Sequence, residues 1–289
     1  MTILIQLSDL HIREPGRLAY GRVNTAPFLE AAVASVLALR QPADAVVITG
    51  DLVDFGQRAE YQHLARLLAP LTMPVYLMPG NHDDRAQLRA AFPDHGYLQA
   101  EDPRSPIQYS VPVGGLQLVA LDTVVPGAEH GELCDARLAW LDATLQALQV
   151  PQGSQGSQTP DARPVVLAMH HPPFETLIGH MDVNGLRHGA DALEALLRRH
   201  PQVERVICGH LHRAIDRRFG GTFAQTAPAP AHQVSLDLAP DAASSFTMEP
   251  PGFRVHAWTP RAGLITHLAP IGRFDGPHPF REPGGALLG

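Results

Sequence analysis

Five short stretches of the sequence carry side chains able to hold metal ions. They are Asp9 and His11 in S-D-L-H-I, Asp51 in G-D-L-V-D, Asn81, His82 and Asp83 in G-N-H-D-D, His170 and His171 in H-H-P-P, and His210 and His212 in G-H-L-H. Carboxylate and imidazole suit Zn, Mn and Fe, and no cysteine stands in any of these stretches, which argues against a structural zinc site or an iron–sulfur cluster. Asp-x-His and His-x-His put two side chains on one side of a short extended segment, the arrangement needed to grip one ion or two adjacent ones. Glycines directly before Asp51, Asn81 and His210 allow tight turns that aim each side chain back over its neighbours.

Each stretch follows directly on an apolar run that reads as a buried strand: Ile3–Leu7, Ala45–Thr49, Pro74–Met78, Val165–Met169 and Arg205–Cys208. Helical periodicity at 27–40 and 58–68 separates the first three runs, implying crossovers and a largely parallel core. In open α/β sheets the carboxyl ends of the strands share one edge, where ligands bind, so the five stretches are expected to converge although they span some 200 residues. Further along, 108–111 and 116–121 flank Gly114-Gly115 as a hairpin, and 135–148 and 191–199 read as helices. Short strand candidates at 222–226, 233–238, 253–258 and 264–268 suggest an antiparallel addition to a second sheet, with cap elements at about 213–250. Residues 151–163, rich in Gly, Ser, Gln and Pro, read as a flexible surface loop inside a domain covering 1–270, and 271–289 as a C-terminal arm.

The chain has 289 residues, 45% hydrophobic and 18% charged, enough for one large core and too apolar for disorder. With 22 Lys+Arg against 29 Asp+Glu the net charge is −7, and no basic stripe is visible, so a nucleic-acid partner is not expected. No apolar run is long enough to span a membrane, no basic leader precedes the first strand, and Cys134 and Cys208 make no disulfide framework; the expectation is a soluble, cytoplasmic protein. His63, His95, His130, His188 and His200 lack any such context and read as surface residues.

Taken in order, the five motifs resemble the calcineurin-like metallophosphoesterases, and the spacing and flanking residues are similar to those of bacterial phosphodiesterases of the cyclic-nucleotide and glycerophosphodiester type. The resemblance covers residues 8–212. It implies a four-layer αββα sandwich of two mostly mixed sheets flanked by helices, with a small C-terminal antiparallel addition. It further implies two divalent ions (Mn, Fe or Zn). Asp9, His11 and His212 would hold one, Asn81, His170 and His210 the other, and Asp51 would bridge both. His82 matches the family's catalytic histidine, and Asp54 the acid that orients it in part of the family. His232 resembles a histidine of the glycerophosphodiesterase branch that contacts the metal ligands or the substrate, and Tyr20 is expected near it. Two divalent ions outweigh two carboxylates and a bridging hydroxide by about +1, enough to attract a singly charged phosphodiester to an acidic protein.

The activity expected is hydrolysis of a small phosphodiester, such as cAMP or a glycerophosphodiester, by a metal-bridging hydroxide. A phosphomonoesterase of the same fold and a non-catalytic metal-binding scaffold are the alternatives, and a homo-oligomer is left open. Phosphoprotein phosphatases of the family continue the second motif with an arginine and carry Glu in the third; this chain has Phe55-Gly56 and Asp83, which favours the diester. Arg13 and Arg213 flank ligand motifs, either as substrate contacts or as solvated residues.

Overall fold

The structure is a computed structural model that describes residues 1–149, 163–283, 285 and 287. The loop expected at about 151–163 therefore lies, except for Arg163, outside the described residues. In chain order the elements are β1 (Thr2–Leu7), α1 (Ala26–Leu37), β2 (Ala45–Thr49), α2 (Arg58–Leu68), β3 (Val75–Met78), α3 (Arg85–Ala91), β4 (Tyr109–Val113), β5 (Leu116–Ala120), β6 (Gly131–Glu132) and α4 (Asp135–Ala147). They continue with β7 (Val165–Ala168), α5 (Gly179–Asp182), β8 (Leu186–His188), α6 (Ala190–Arg198), β9 (Val203–Cys208), β10 (Ile215–Phe219), β11 (Thr222–Thr226), β12 (Gln233–Val234), β13 (Phe246–Thr247), β14 (Gly252–Thr259) and β15 (Gly263–Pro270).

Two mixed sheets face one another. The first has the order β15-β14-β1-β2-β3 and the second β10-β11-β9-β7-β5-β4. Within each, the strands leading to the predicted motifs are parallel: β1 to β2 to β3, and β5 to β7 to β9. Period-2 alternation decides which side chains enter which layer. Leu118, Ala120, Val166, Ala168 and Ile207 join the core shared with β1 and β2, whereas Val119, Leu121, Val165, Leu167, Val206 and Cys208 turn outward. There they pack on Leu141 and Leu145 of α4 and on Leu193, Leu196 and Leu197 of α6. On the far side, Leu29, Val33 and Val36 of α1 and Leu64 and Leu67 of α2 cover the first sheet. The layers thus run helix, sheet, sheet, helix, as expected.

Three details depart from the sequence reading. The strands β14 and β15 close the first sheet, antiparallel to β1, instead of adding to the second. Only Gln233–Val234 of the expected 233–238 strand pairs, against β13, because the chain turns away before the alternation can be used. His200, read as a surface residue, is buried, its Nε2 lying 2.7 Å from Asp142 Oδ1 on α4. The short helix α3 had no strong apolar period to announce it. It is capped by Asp84, which accepts from Gln87 N, and tied down by Arg85, whose fork meets buried Asp122 at 2.7 and 2.8 Å.

Candidate metal centre

The five motifs meet at one edge of the two sheets because each begins where a parallel strand ends. Asp9 and His11 follow β1, Asp51 follows β2, Asn81 and His82 follow β3, His170 follows β7, and His210 and His212 follow β9. Asp9, His11, Asp51, His170, His210 and His212 are all buried. The backbone at five of these residues is left-handed: φ is 56° at Asp9, 45° at His11, 48° at Asp51, 70° at His210 and 49° at His212. An L-residue there costs about 1–2 kcal/mol, and such conformations gather where the surrounding fold holds a functional group in one orientation. The sequence assigned the turning to the preceding glycines. Of those only Gly50 has a positive φ; Gly80 and Gly209 are needed for space, since a Cβ on Gly80 would strike Asp51 and one on Gly209 would strike Ser8 and the Thr49 carbonyl.

The side chains form two groups that share one carboxylate oxygen. In the first, ligand atoms of Asp9, His11, Asp51 and His212 all lie within 4.8 Å of one another. In the second, Asn81 Oδ1 is 3.1 Å from both His170 Nε2 and His210 Nδ1. Between them Asp51 Oδ2 is 3.6 Å from His11 Nε2 and 3.4 Å from His170 Nε2, while its other oxygen accepts the His82 backbone N–H at 3.0 Å.

Outer partners set the imidazole tautomers. His170 Nδ1 donates to the Thr49 carbonyl at 2.8 Å, and His212 Nδ1 to the His232 carbonyl at 3.1 Å. His11 Nδ1 lies 3.3 Å from Asp54 Oδ1. Donation outward leaves bare Nε2 lone pairs turned inward, the arrangement that a ligating histidine requires. His11 and His212 then present two such nitrogens only 3.1 Å apart, and Asp9 Oδ2 is buried with no hydrogen-bond partner. Facing lone pairs and an orphaned acceptor are satisfied together by cations, so these residues fit a divalent metal centre.

Protonation follows the same logic. Burial, reinforced by His170, holds His210 down at about 3; burial, with His11 next, does the same to His212. Both are neutral and ready to ligate. Burial pushes the Asp9 carboxyl up to about 6, whereas the histidines around Asp51, His170 foremost, override burial and hold its carboxyl well below the usual range. His170 runs the other way: against burial, Asp51 raises it to about 9, so a cation bound there would displace its Nε2 proton.

The remaining residues singled out by the sequence are close by. His82, with 32% of its side chain exposed, lines the cavity over the centre. Its Nδ1 is 2.9 Å from the backbone carbonyl of Asp54, whose carboxylate is farther away, at 3.8 Å. Asp54 thus holds His82 chiefly through its carbonyl, with its carboxylate farther off and nearer to His11. Arg13 is committed to Asp54 and Glu60 at 3.1 and 3.0 Å, and Arg213 to the Val234 carbonyl and Glu249 at 2.7 and 2.9 Å, so neither projects freely toward substrate. His232 is buried, with both ring nitrogens unpartnered and its ring 4.7 Å from that of His212. Burial, then His212, depresses it to about 2. Tyr20, left-handed at φ 51°, stands 5.1 Å from the His232 ring and 5.3 Å from Phe246. Phe246 and Glu129, which the sequence gave no reason to single out, also line the cavity of about 440 Å³. His171 does not ligate: Thr123 Oγ1 and the Glu129 carbonyl occupy its two nitrogens at 2.8 and 3.0 Å.

Mixed sheets in four layers, with carboxylates and imidazoles gathered at the strand ends, define a metallophosphoesterase. The chain belongs to the calcineurin-like phosphoesterase family, whose model matches residues 2–214. It is 35% identical over 286 residues, 99% of each chain, to a probable glycerophosphodiester phosphodiesterase, GpdQ, of Arcobacter nitrofigilis. It is 28% identical over 253 residues, covering 87% of this chain and 83% of the relative, to the 3',5'-cyclic adenosine monophosphate phosphodiesterase CpdA of Escherichia coli. A dimetal phosphatase from Danio rerio superposes with a TM-score of 0.58 at 15% identity, over 94% of this chain and 99% of that one, a likeness of fold. The protein is a metal-dependent hydrolase of phosphodiesters. No helix among the described residues is long and apolar enough to cross a membrane.

Proposed function

We propose that the protein hydrolyses small phosphodiesters, glycerophosphodiesters or 3',5'-cyclic AMP, at a binuclear centre of Mn, Fe or Zn. Asp9, His11 and His212 would hold one ion and Asn81, His170 and His210 the other, with Asp51 common to both sets. The observation that carries this reading is the place of Asp51 Oδ2, 3.6 Å from His11 Nε2 and 3.4 Å from His170 Nε2. Bound there, two divalent ions would supply Lewis acidity, polarising phosphoryl oxygens and lowering the pKa of water.

The chain's own residues do the rest. His82 lines the cavity, and a carbonyl beside Nδ1 can only accept, so Nδ1 keeps its proton and Nε2 is the atom that exchanges one. Protonated, His82 donates from Nε2 to the leaving alkoxide, and the Asp54 carbonyl and carboxylate steady the imidazolium. Neutral His232 offers an unpartnered ring nitrogen to the substrate, and Tyr20 and Phe246 shield the site with apolar surface. The 440 Å³ cavity suits one small diester and no polymer. We take residues 1–270 as the catalytic domain, with 213–250 contributing to the cavity rim and 271–289 as an arm.

The test is Mn²⁺-dependent hydrolysis of cAMP and of a glycerophosphodiester by one purified sample, with and without chelator. Chelator-sensitive turnover of either diester is expected. A metal-loaded sample that hydrolyses only phosphomonoesters would overturn the proposal.

A further inference from the structure

The cavity is made to receive an anion, yet one wall presents a carboxylate. Glu129 lines it beside His180, Met181 and Asn184. The Glu129 Oε2 atom accepts a 2.7 Å hydrogen bond from Asn184 Nδ2, an amide and not a neutralising cation. On the same wall His180 Nδ1 is buried without a partner.

This wall is fixed to the metal centre by a chain of contacts. Buried His171, next to His170 and with its ring 4.7 Å from that of His210, donates from Nε2 to the Glu129 carbonyl and accepts from Thr123 at Nδ1. Gly131 lies so close against the His171 ring that a Cβ would collide with it. The strand β6, which begins at Gly131, pairs in parallel with β8, and Gly131 N donates to the Gly185 carbonyl at 3.1 Å. The segments bearing Glu129 and Asn184 are thereby joined. These contacts fix the Glu129 main chain, while its solvent-exposed carboxylate is placed by the Asn184 bond; a carboxylate so placed beside a phosphate site weakens binding of the anion unless the substrate brings a compensating donor or positive charge to it.

We propose that Glu129 determines specificity by accepting a hydrogen bond from a hydroxyl or ammonium group on the alcohol portion of the diester, and by disfavouring substrates with no such donor. The inference rests on the phosphodiesterase reading above. It is tested by comparing kcat/KM for sn-glycero-3-phosphoethanolamine, which carries donors on both ester groups, with that for bis(4-nitrophenyl) phosphate, which carries none. In Glu129→Ala the ratio of the two is expected to fall about 10- to 100-fold, the worth of one charge-assisted hydrogen bond. Glu129→Gln, which keeps an acceptor but not the charge, is expected to fall between wild type and Ala. A ratio within about twofold of wild type in both variants would overturn the role of Glu129 while leaving the phosphodiesterase reading intact. A metal-loaded wild type inert toward both diesters would overturn that reading and the inference with it.

Discussion

At the scale of single residues the site separates holding a metal from moving a proton. The Asp51 carboxylate stands between two groups of imidazoles, so its loss removes the one oxygen common to both. Asp51→Ala is expected to bind less than half of the wild-type metal, read by elemental analysis of the purified protein. His82 meets the centre through its backbone N–H on Asp51 Oδ1, a contact that alanine preserves, and through its ring, which stands edge-on to that of His11 with centroids 4.7 Å apart. Its imidazole is the part exposed to the cavity. In His82→Ala metal content should stay at the wild-type level while kcat falls about 10²–10⁴-fold, the range for loss of a general acid. Unaltered turnover would remove His82 from the mechanism.

At the scale of elements, a polar bridge crosses the interior of the sandwich. Gln6 of β1 donates to the Cys208 carbonyl of β9 at 2.9 Å, and its Oε1 is 3.2 Å from His256 Nε2 on β14. His256 Nδ1 meets Thr266 Oγ1 of β15 at 2.9 Å, so one imidazole links three strands of the first sheet, and Gln6 links them to the second. Burial, then Arg254 and Arg205, pushes His256 down from 6.5 to about 3. Its proton is therefore bound in the unfolded chain at pH values where the folded protein refuses it. The stability it contributes is present above pH 6.5 and is lost progressively as pH falls from 6.5 toward 3. His256→Gln, which can keep both hydrogen bonds, is expected to lose less Tm than wild type between about pH 7 and pH 4, measured by thermal unfolding of chelated samples. Parallel Tm–pH curves would contradict this account.

At the scale of the whole molecule, the centre fastens together the ends of five strands drawn from both sheets, so metal affinity is also folding free energy. Saturating Mn²⁺ at about 100 to 1,000 times its Kd should stabilise by roughly 3–4 kcal/mol and raise Tm by several degrees over a chelated sample, with Asp51→Ala showing little rise. The donor types and the strand ends that carry them were legible in the sequence, because a buried parallel strand is a continuous apolar run and its end is marked by the first polar residues. Asp9, His11, Asp51, Asn81, His170, His210 and His212 could be read in this way; strands alternating with amphipathic helices implied a largely parallel core, and the four layers came from the resemblance to the family. Three things were decided only by tertiary structure. Asp54 turned its carboxylate to His11 and its carbonyl to His82, which depends on angles within one turn. The strands β14 and β15 chose the first sheet, since a short antiparallel strand carries no local mark of its partner. Glu129 entered the cavity through the packing of His171 on Thr123 and of β6 on β8, contacts between segments about 40 to 60 residues apart. Local sequence fixes what a residue can bind and which element bears it, because period and polarity act over a few neighbours. Which distant surfaces meet is settled by how whole layers bury their apolar faces, and that free energy belongs to the assembled fold.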